Sequence, residues 1–122
     1  MRFLLLFPLC FTLAIATAGE GHAHSKLKSS IPANNSTVAS GFKEARLDFL
    51  EPIEAAMSYF TVIAADETAI LRIEGAQACE AKTCRFAVEP LKPGKYRIDY
   101  HILSGDGHVV EGKIRFTVKA DP

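Results

Sequence analysis

Four stretches of the chain alternate apolar and polar residues with period two, the mark of a strand that buries one face. In Lys43 to Leu50, Ala45, Leu47 and Phe49 fall on one face, with Arg46 and Asp48 on the other. Thr83 to Glu89 alternates through Cys84, Phe86 and Val88. In Lys95 to Leu103 the apolar face is Tyr96, Ile98, Tyr100 and Ile102, and in Val110 to Val118 it is Gly112, Ile114, Phe116 and Val118 against Lys113, Arg115 and Thr117. These last two runs, joined by the polar Ser104 to His108 segment, predict a hairpin. Met57 to Ala65 is rich in Tyr, Phe, Thr, Val and Ile, as strands are, and Ile53 to Ala56 could add a helical turn before it. Asp66 and Glu67 supply a turn, and Ala69 to Ile73 returns as a hairpin partner. Leu27 begins a short edge strand that breaks at Pro32 into an Asn/Ser-rich turn, and Gly75 to Lys82 reads as a loop.

Pro90 to Gly94 marks a tight connection before the long strand at Lys95. About seven short strands with hardly any helix predict an all-β fold. The expected architecture is an immunoglobulin-like antiparallel β-sandwich or small barrel with Greek-key connections. Tyr96, soon after Pro93 and Gly94, has two readings, the tyrosine corner of such sandwiches or plain core packing.

The front of the chain does not fit this pattern. Met1 and Arg2 form a brief basic start, Phe3 to Ile15 is almost wholly apolar, and small residues follow at Ala16, Ala18, Gly21 and Ala23. That is the pattern of a secretory signal peptide, and the apolar run is shorter than the roughly 20 residues a membrane span needs. Cleavage after Ala18 or after Ala23 would satisfy the small-x-small rule. The second divides the chain into a signal peptide, 1–23, and a β domain, 24–122, whose first residue is His24; the first leaves His22 and His24 in a short tail.

Charge narrows the function little. Lys plus Arg and Asp plus Glu are equal at 14 each, so there is no basic footprint for nucleic acid. No second apolar run is long enough to anchor the processed chain in a membrane. Cys10 lies in the signal run, which leaves Cys79 and Cys84. An even pair in an exported protein reads first as a disulfide. A two-thiolate metal site is the alternative, although the spacing is longer than a usual zinc pair and no neighbouring His completes it.

The candidate chemistry sits in Ser104 Gly105 Asp106 Gly107 His108. An Asp and a His two positions apart would point the same way on extended backbone and offer an O,N donor pair that suits Cu(II), Zn(II) or Ni(II). Asp106 Gly107 is equally a hairpin-turn dipeptide, with His108 merely starting the next strand. An amino-terminal His24 would add two nitrogens from one residue, its ring and its α-amine. The amine titrates near 7.7 to 8.0, against about 10.4 for Lys, so a metal displaces its proton readily. Three nitrogens and one oxygen match the tetragonal preference of Cu(II). His101, on the face opposite the tyrosines of its strand, reads as a surface group or a support for a ligand, and Asp99 and Glu111 as solvated charges.

The opening His24 Ser25 Lys26 Leu27 Lys28 Ser29 Ser30 Ile31 Pro32 Ala33 resembles the CopC family of periplasmic copper-resistance proteins. The Leu91 Lys92 Pro93 Gly94 Lys95 Tyr96 segment and the closing Ser104 to His108 with Gly112 share the resemblance. It implies an immunoglobulin-like β domain in the periplasm that binds one Cu(II) per chain through His24, Asp106 and His108. It also implies a copper carrier or buffer, not an enzyme, with an inner-membrane copper transporter of CopD type as a partner. Members with a methionine-rich Cu(I) site differ from this chain, whose only Met beyond the signal is Met57. Two other functions compete: a histidine-brace copper monooxygenase, disfavoured by small size, the carboxylate donor and the lack of Trp, and a metal-free interaction module.

Overall fold

A computed structural model describes residues 27–88 and 90–121. Among them nine strands form two facing sheets. The first sheet runs, in spatial order, β1 (Leu27–Ile31), β3 (Glu44–Phe49), β7 (Thr83–Ala87) and β6 (Cys79–Glu80). The second runs β2 (Ser36–Val38), β9 (Val109–Val118), β8 (Gly94–Leu103), β4 (Tyr59–Ala64) and β5 (Ala69–Glu74). The chain changes sheet repeatedly, and the result is the expected β-sandwich.

Period-two alternation decides which residues meet between the sheets. Ala45, Leu47 and Phe49 of β3, Cys84 and Phe86 of β7, Ile98, Tyr100 and Ile102 of β8, and Ile114, Phe116 and Val118 of β9 are all buried. Their neighbours in sequence point to the two outer faces. Phe60 and Phe86, from opposite sheets, bring their rings to 5.2 Å, and Phe49 meets Tyr100 edge-on at 5.7 Å. Tyr96 donates its hydroxyl to the Lys92 carbonyl at 2.6 Å, a tyrosine corner, while its ring lies 5.8 Å from that of Phe116. Both readings of this residue therefore hold: the ring packs and the hydroxyl latches the connection before β8.

Three sequence expectations need correction. There are nine strands where about seven were expected, because Ser36–Val38 and Cys79–Glu80 are too short to show a pattern. The second sheet is mixed, not purely antiparallel, since β2 pairs in parallel with the end of β9. Gly75 to Lys82 is not one loop but a helical turn α1 (Gly75–Ala78) followed by β6. Gly75 is required there: its N–H donates to the Ser58 carbonyl at 2.7 Å, and a Cβ would stand 2.5 Å from the Ala55 carbonyl oxygen.

On the outer face of the first sheet, Asp48 ties three strands together. It accepts from Arg46 of its own strand at 2.9 Å, from Thr83 of β7 at 2.7 Å and from Ser29 of β1 at 3.3 Å. The hydrogen bond from Arg46, then that from Thr83, hold its carboxyl below the usual carboxylate range. A carboxyl lowered in the folded state stabilises the fold above its unfolded pKa, near 3.9, and loses that contribution as pH falls through the folded value. Asp48→Asn should therefore flatten the acid limb of stability below about pH 4, read from urea midpoints between neutral and acid pH. Midpoints of the two forms falling in parallel would remove Asp48 from the acid response.

Candidate metal centre

The long hairpin carries the site. Strands β8 and β9 pair over ten residues each, ending at Leu103 opposite Val109. Beyond that pair the backbone closes on itself: the Ser104 N–H donates to the His108 carbonyl at 2.8 Å, and the Gly107 N–H to the Ser104 carbonyl at 2.8 Å. Gly107 adopts φ +87°, a left-handed conformation that glycine takes without strain. The dipeptide signal for a turn is thus correct.

The turn also brings the two donors together. Asp106 Oδ1 accepts from the His108 backbone N–H at 3.2 Å, the carboxylate folding over its own turn. The same oxygen lies 3.2 Å from His108 Nδ1. Carboxylate and imidazole are side by side, as expected, but a turn places them and not the extended backbone that the period-two reading supposed. Two donors about 2.0 Å from one ion at a right angle stand roughly 2.8 Å apart, so the pair is close to the spacing a tetragonal metal needs. The His108 side chain is 76% exposed and that of Asp106 34%, so the pair faces outward from the rim of the sandwich.

A neighbouring segment braces this turn. The Gly105 N–H donates to the Pro52 carbonyl at 2.7 Å, Ile53 bridges Ser104, and the Glu54 N–H donates to the Leu103 carbonyl at 2.9 Å. Gly105 eases the approach, since a Cβ would sit 3.2 Å from the Pro52 oxygen and ask it to give by a few tenths of an ångström. Ser58, almost fully buried, donates to the Glu54 carbonyl at 2.8 Å and accepts from the Leu103 N–H at 3.0 Å. Neither Pro52 nor Ser58 stood out in the sequence. A buried serine next to a strand of aromatics was the one available signal, because a buried hydroxyl must find partners.

The other sequence candidates fall as follows. His24 and His22 lie outside the described residues, as do Cys10, the signal segment and both cleavage points. His101 is on the outer face of the second sheet, stacked on Tyr59 at 4.8 Å with its Nδ1 2.6 Å from Glu111. Glu111 and Asp99 are paired rather than simply solvated, Asp99 with Arg97 at 2.9 Å. Cys79 and Cys84 form a disulfide with an S–S distance of 2.03 Å. Met57 is exposed. Among the described residues no group of three or more His, Cys, Asp or Glu side chains could hold a metal ion. No helix among them is long and apolar enough to cross a membrane.

Fold and site together define a class: an immunoglobulin-like β-sandwich that offers an Asp–His donor pair on the turn of its longest hairpin. The model of the CopC domain matches residues 27–119. The protein YobA of Escherichia coli (strain K12) is 31% identical over 118 residues, covering 91% of this chain and 94% of that protein. Copper resistance protein C of Xanthomonas campestris pv. juglandis is 33% identical over 115 residues, 87% of this chain and 88% of its own. The crystal structure of CopC from Methylosinus trichosporium OB3b matches with a TM-score of 0.72 at 30% identity, covering 79% of this chain and 94% of that one. PcoC, a methionine-rich copper resistance protein from Escherichia coli, matches at 0.61 and 28%, covering 77% of this chain and 97% of that one. The chain belongs to the CopC family.

Proposed function

We propose that the processed chain is a periplasmic Cu(II) carrier that holds one ion through the His24 amine and ring together with Asp106 and His108. The supporting observation is the Asp106–His108 pair, an oxygen and a nitrogen donor 3.2 Å apart on a braced turn. Two of the similar proteins are copper resistance proteins by name, and the O,N donor pair suits a borderline divalent ion such as Cu(II). The entry of the chain into the fold favours His24 as the missing donor. Leu27, three positions after His24, pairs with Phe49. Pro52, three residues beyond Phe49, docks on Gly105 of the turn. Three residues span at most about 10 Å, so Leu27 stands at the end of the sandwich that bears the pair, within reach of a donor three positions earlier.

Copper here is cargo. Four protein donors around one Cu(II) favour holding the ion over activating a substrate, which needs an open position. An inner-membrane transporter of CopD type is the expected recipient.

The test is the intact mass and N-terminal sequence of the exported protein, followed by a Cu(II) titration read by electron paramagnetic resonance. A chain beginning at His24 that takes one copper with a nitrogen-rich tetragonal signal is the expected result. Adding one residue ahead of His24 moves the amine away from its ring. Affinity should then fall on the order of 100-fold, the upper end of what loss of even a supporting partner costs a metal ligand. Equal affinities of the native and extended forms would eliminate the chelate.

A further inference from the structure

The bracing of the metal turn does not stop at Pro52. Residues 49–54 lie between two hairpins, and the second is the one closed by the Cys79–Cys84 disulfide. Cys79 and Cys84 stand directly opposite each other on β6 and β7, so the bond closes a turn in which Ala81 takes φ +53°. Both carbonyls of that turn are used. The Lys82 oxygen accepts from the Phe49 N–H at 2.8 Å and the Ala81 oxygen from the Ile53 N–H at 2.9 Å. From the other side of the same segment, Pro52 and Glu54 bond to Gly105 and Leu103, and Ile53 bridges Ser104.

We propose that the Cys79–Cys84 disulfide positions the Asp106–His108 pair, acting through the backbone of residues 49–54. The part that concerns copper rests on the function proposed above. A two-residue strand at the edge of a sheet holds itself poorly, and β6 is such a strand. The disulfide supplies what its length does not. Gly75 fixes the start of the 75–84 segment against Ser58, Cys84 fixes its end in the core, and the bond to Cys79 fixes the stretch between.

With the bond absent, residues 80–82 gain freedom and the acceptors for Phe49 and Ile53 loosen. The Pro52 carbonyl then holds Gly105 less firmly, and Asp106 and His108 sample more arrangements. Donors that must be ordered on binding hold an ion more weakly than donors already in place. The β8–β9 ladder does not depend on the bond and keeps its pairing. Cys79 and Cys84 are thus positioning residues, not ligands.

The test compares the native protein with Cys79→Ala/Cys84→Ala. Metal-free amide hydrogen exchange comes first, because it reads the linkage without copper. The amides of Ile53 and Gly105 should exchange at least about tenfold faster in the variant while Ile98 and Ile114 keep their protection. Cu(II) affinity should then fall by about 10-fold with an altered paramagnetic resonance signal, which a remote loss of stability would not produce. Unchanged exchange at Gly105 overturns the linkage, and faster exchange with identical copper affinity and spectrum overturns the positioning role. Should the variant not fold, the native protein reduced by a phosphine in the absence of metal gives the same exchange comparison. A native protein that takes no copper would refute the proposed function and the positioning role with it, while the exchange data would still decide the backbone linkage.

Discussion

His108→Ala should weaken Cu(II) binding by at least about 100-fold and leave the fold intact. The side chain is mostly exposed and meets Asp106, so unfolding should shift by no more than about 0.5 kcal/mol. The remaining copper signal should report fewer nitrogens. Asp106 needs a subtler change, because its Oδ1 accepts from the His108 N–H and is also the donor proposed for the ion. Asp106→Asn keeps an oxygen for the backbone while removing the charge, so its turn should survive and its copper affinity should not. Titration with a competing chelator and a thermal melt on the same samples separate the two effects. A His108→Ala protein that binds copper as tightly as the native form, with the same spectrum, would take His108 out of the site.

The largest effect on stability should come from Phe60→Ala. Phe60 is fully buried in β4, opposite Ile73 of β5 and Tyr100 of β8, and its ring reaches across to Phe86 in the other sheet. Removing a buried aromatic ring costs about 3 to 5 kcal/mol, because both its contacts and the space it filled are lost. For a domain of this size that lowers the melting temperature by at least roughly 12 °C. Calorimetry decides the matter, and a shift of only a few degrees would mean that the two sheets collapse onto the gap. Copper affinity of the folded fraction should stay the same, since Phe60 pairs with Tyr100 within the ladder, ahead of the turn that begins at Ser104.

Strands with one buried face were legible because burial on one side writes period two into the sequence. β3, β7, β8 and β9 all appeared within a residue or two of their observed bounds. β2 did not, because three residues set the pattern and its parallel partner lies some eighty positions away. Nothing local records a pairing of that kind. The site was legible in part for a similar reason. Asp106 and His108 announce themselves by residue type, and Gly107 by the turn it permits. The bracing by Pro52, Ile53 and Glu54 is made of backbone hydrogen bonds, which any side chain could accompany, so no residue type reveals it. The disulfide was expected from the number of cysteines and the export signal, but its link to the 104–108 turn runs through backbone hydrogen bonds of residues 49–54, which no residue type reveals.

Under the proposed function, the outward position of His108 bears on how fast copper can leave. An incoming donor from a recipient protein can approach the exposed imidazole while the ten-residue ladder beneath it stays paired. Exchange by way of a shared intermediate then requires only a local excursion of the turn, and local openings cost far less than unfolding the whole molecule. Residence time and thermal robustness become separate properties of this protein. Under the proposed function the first is set by His24, the hairpin turn and the backbone that braces it, and the second by the interior between the sheets, so selection could adjust either without disturbing the other.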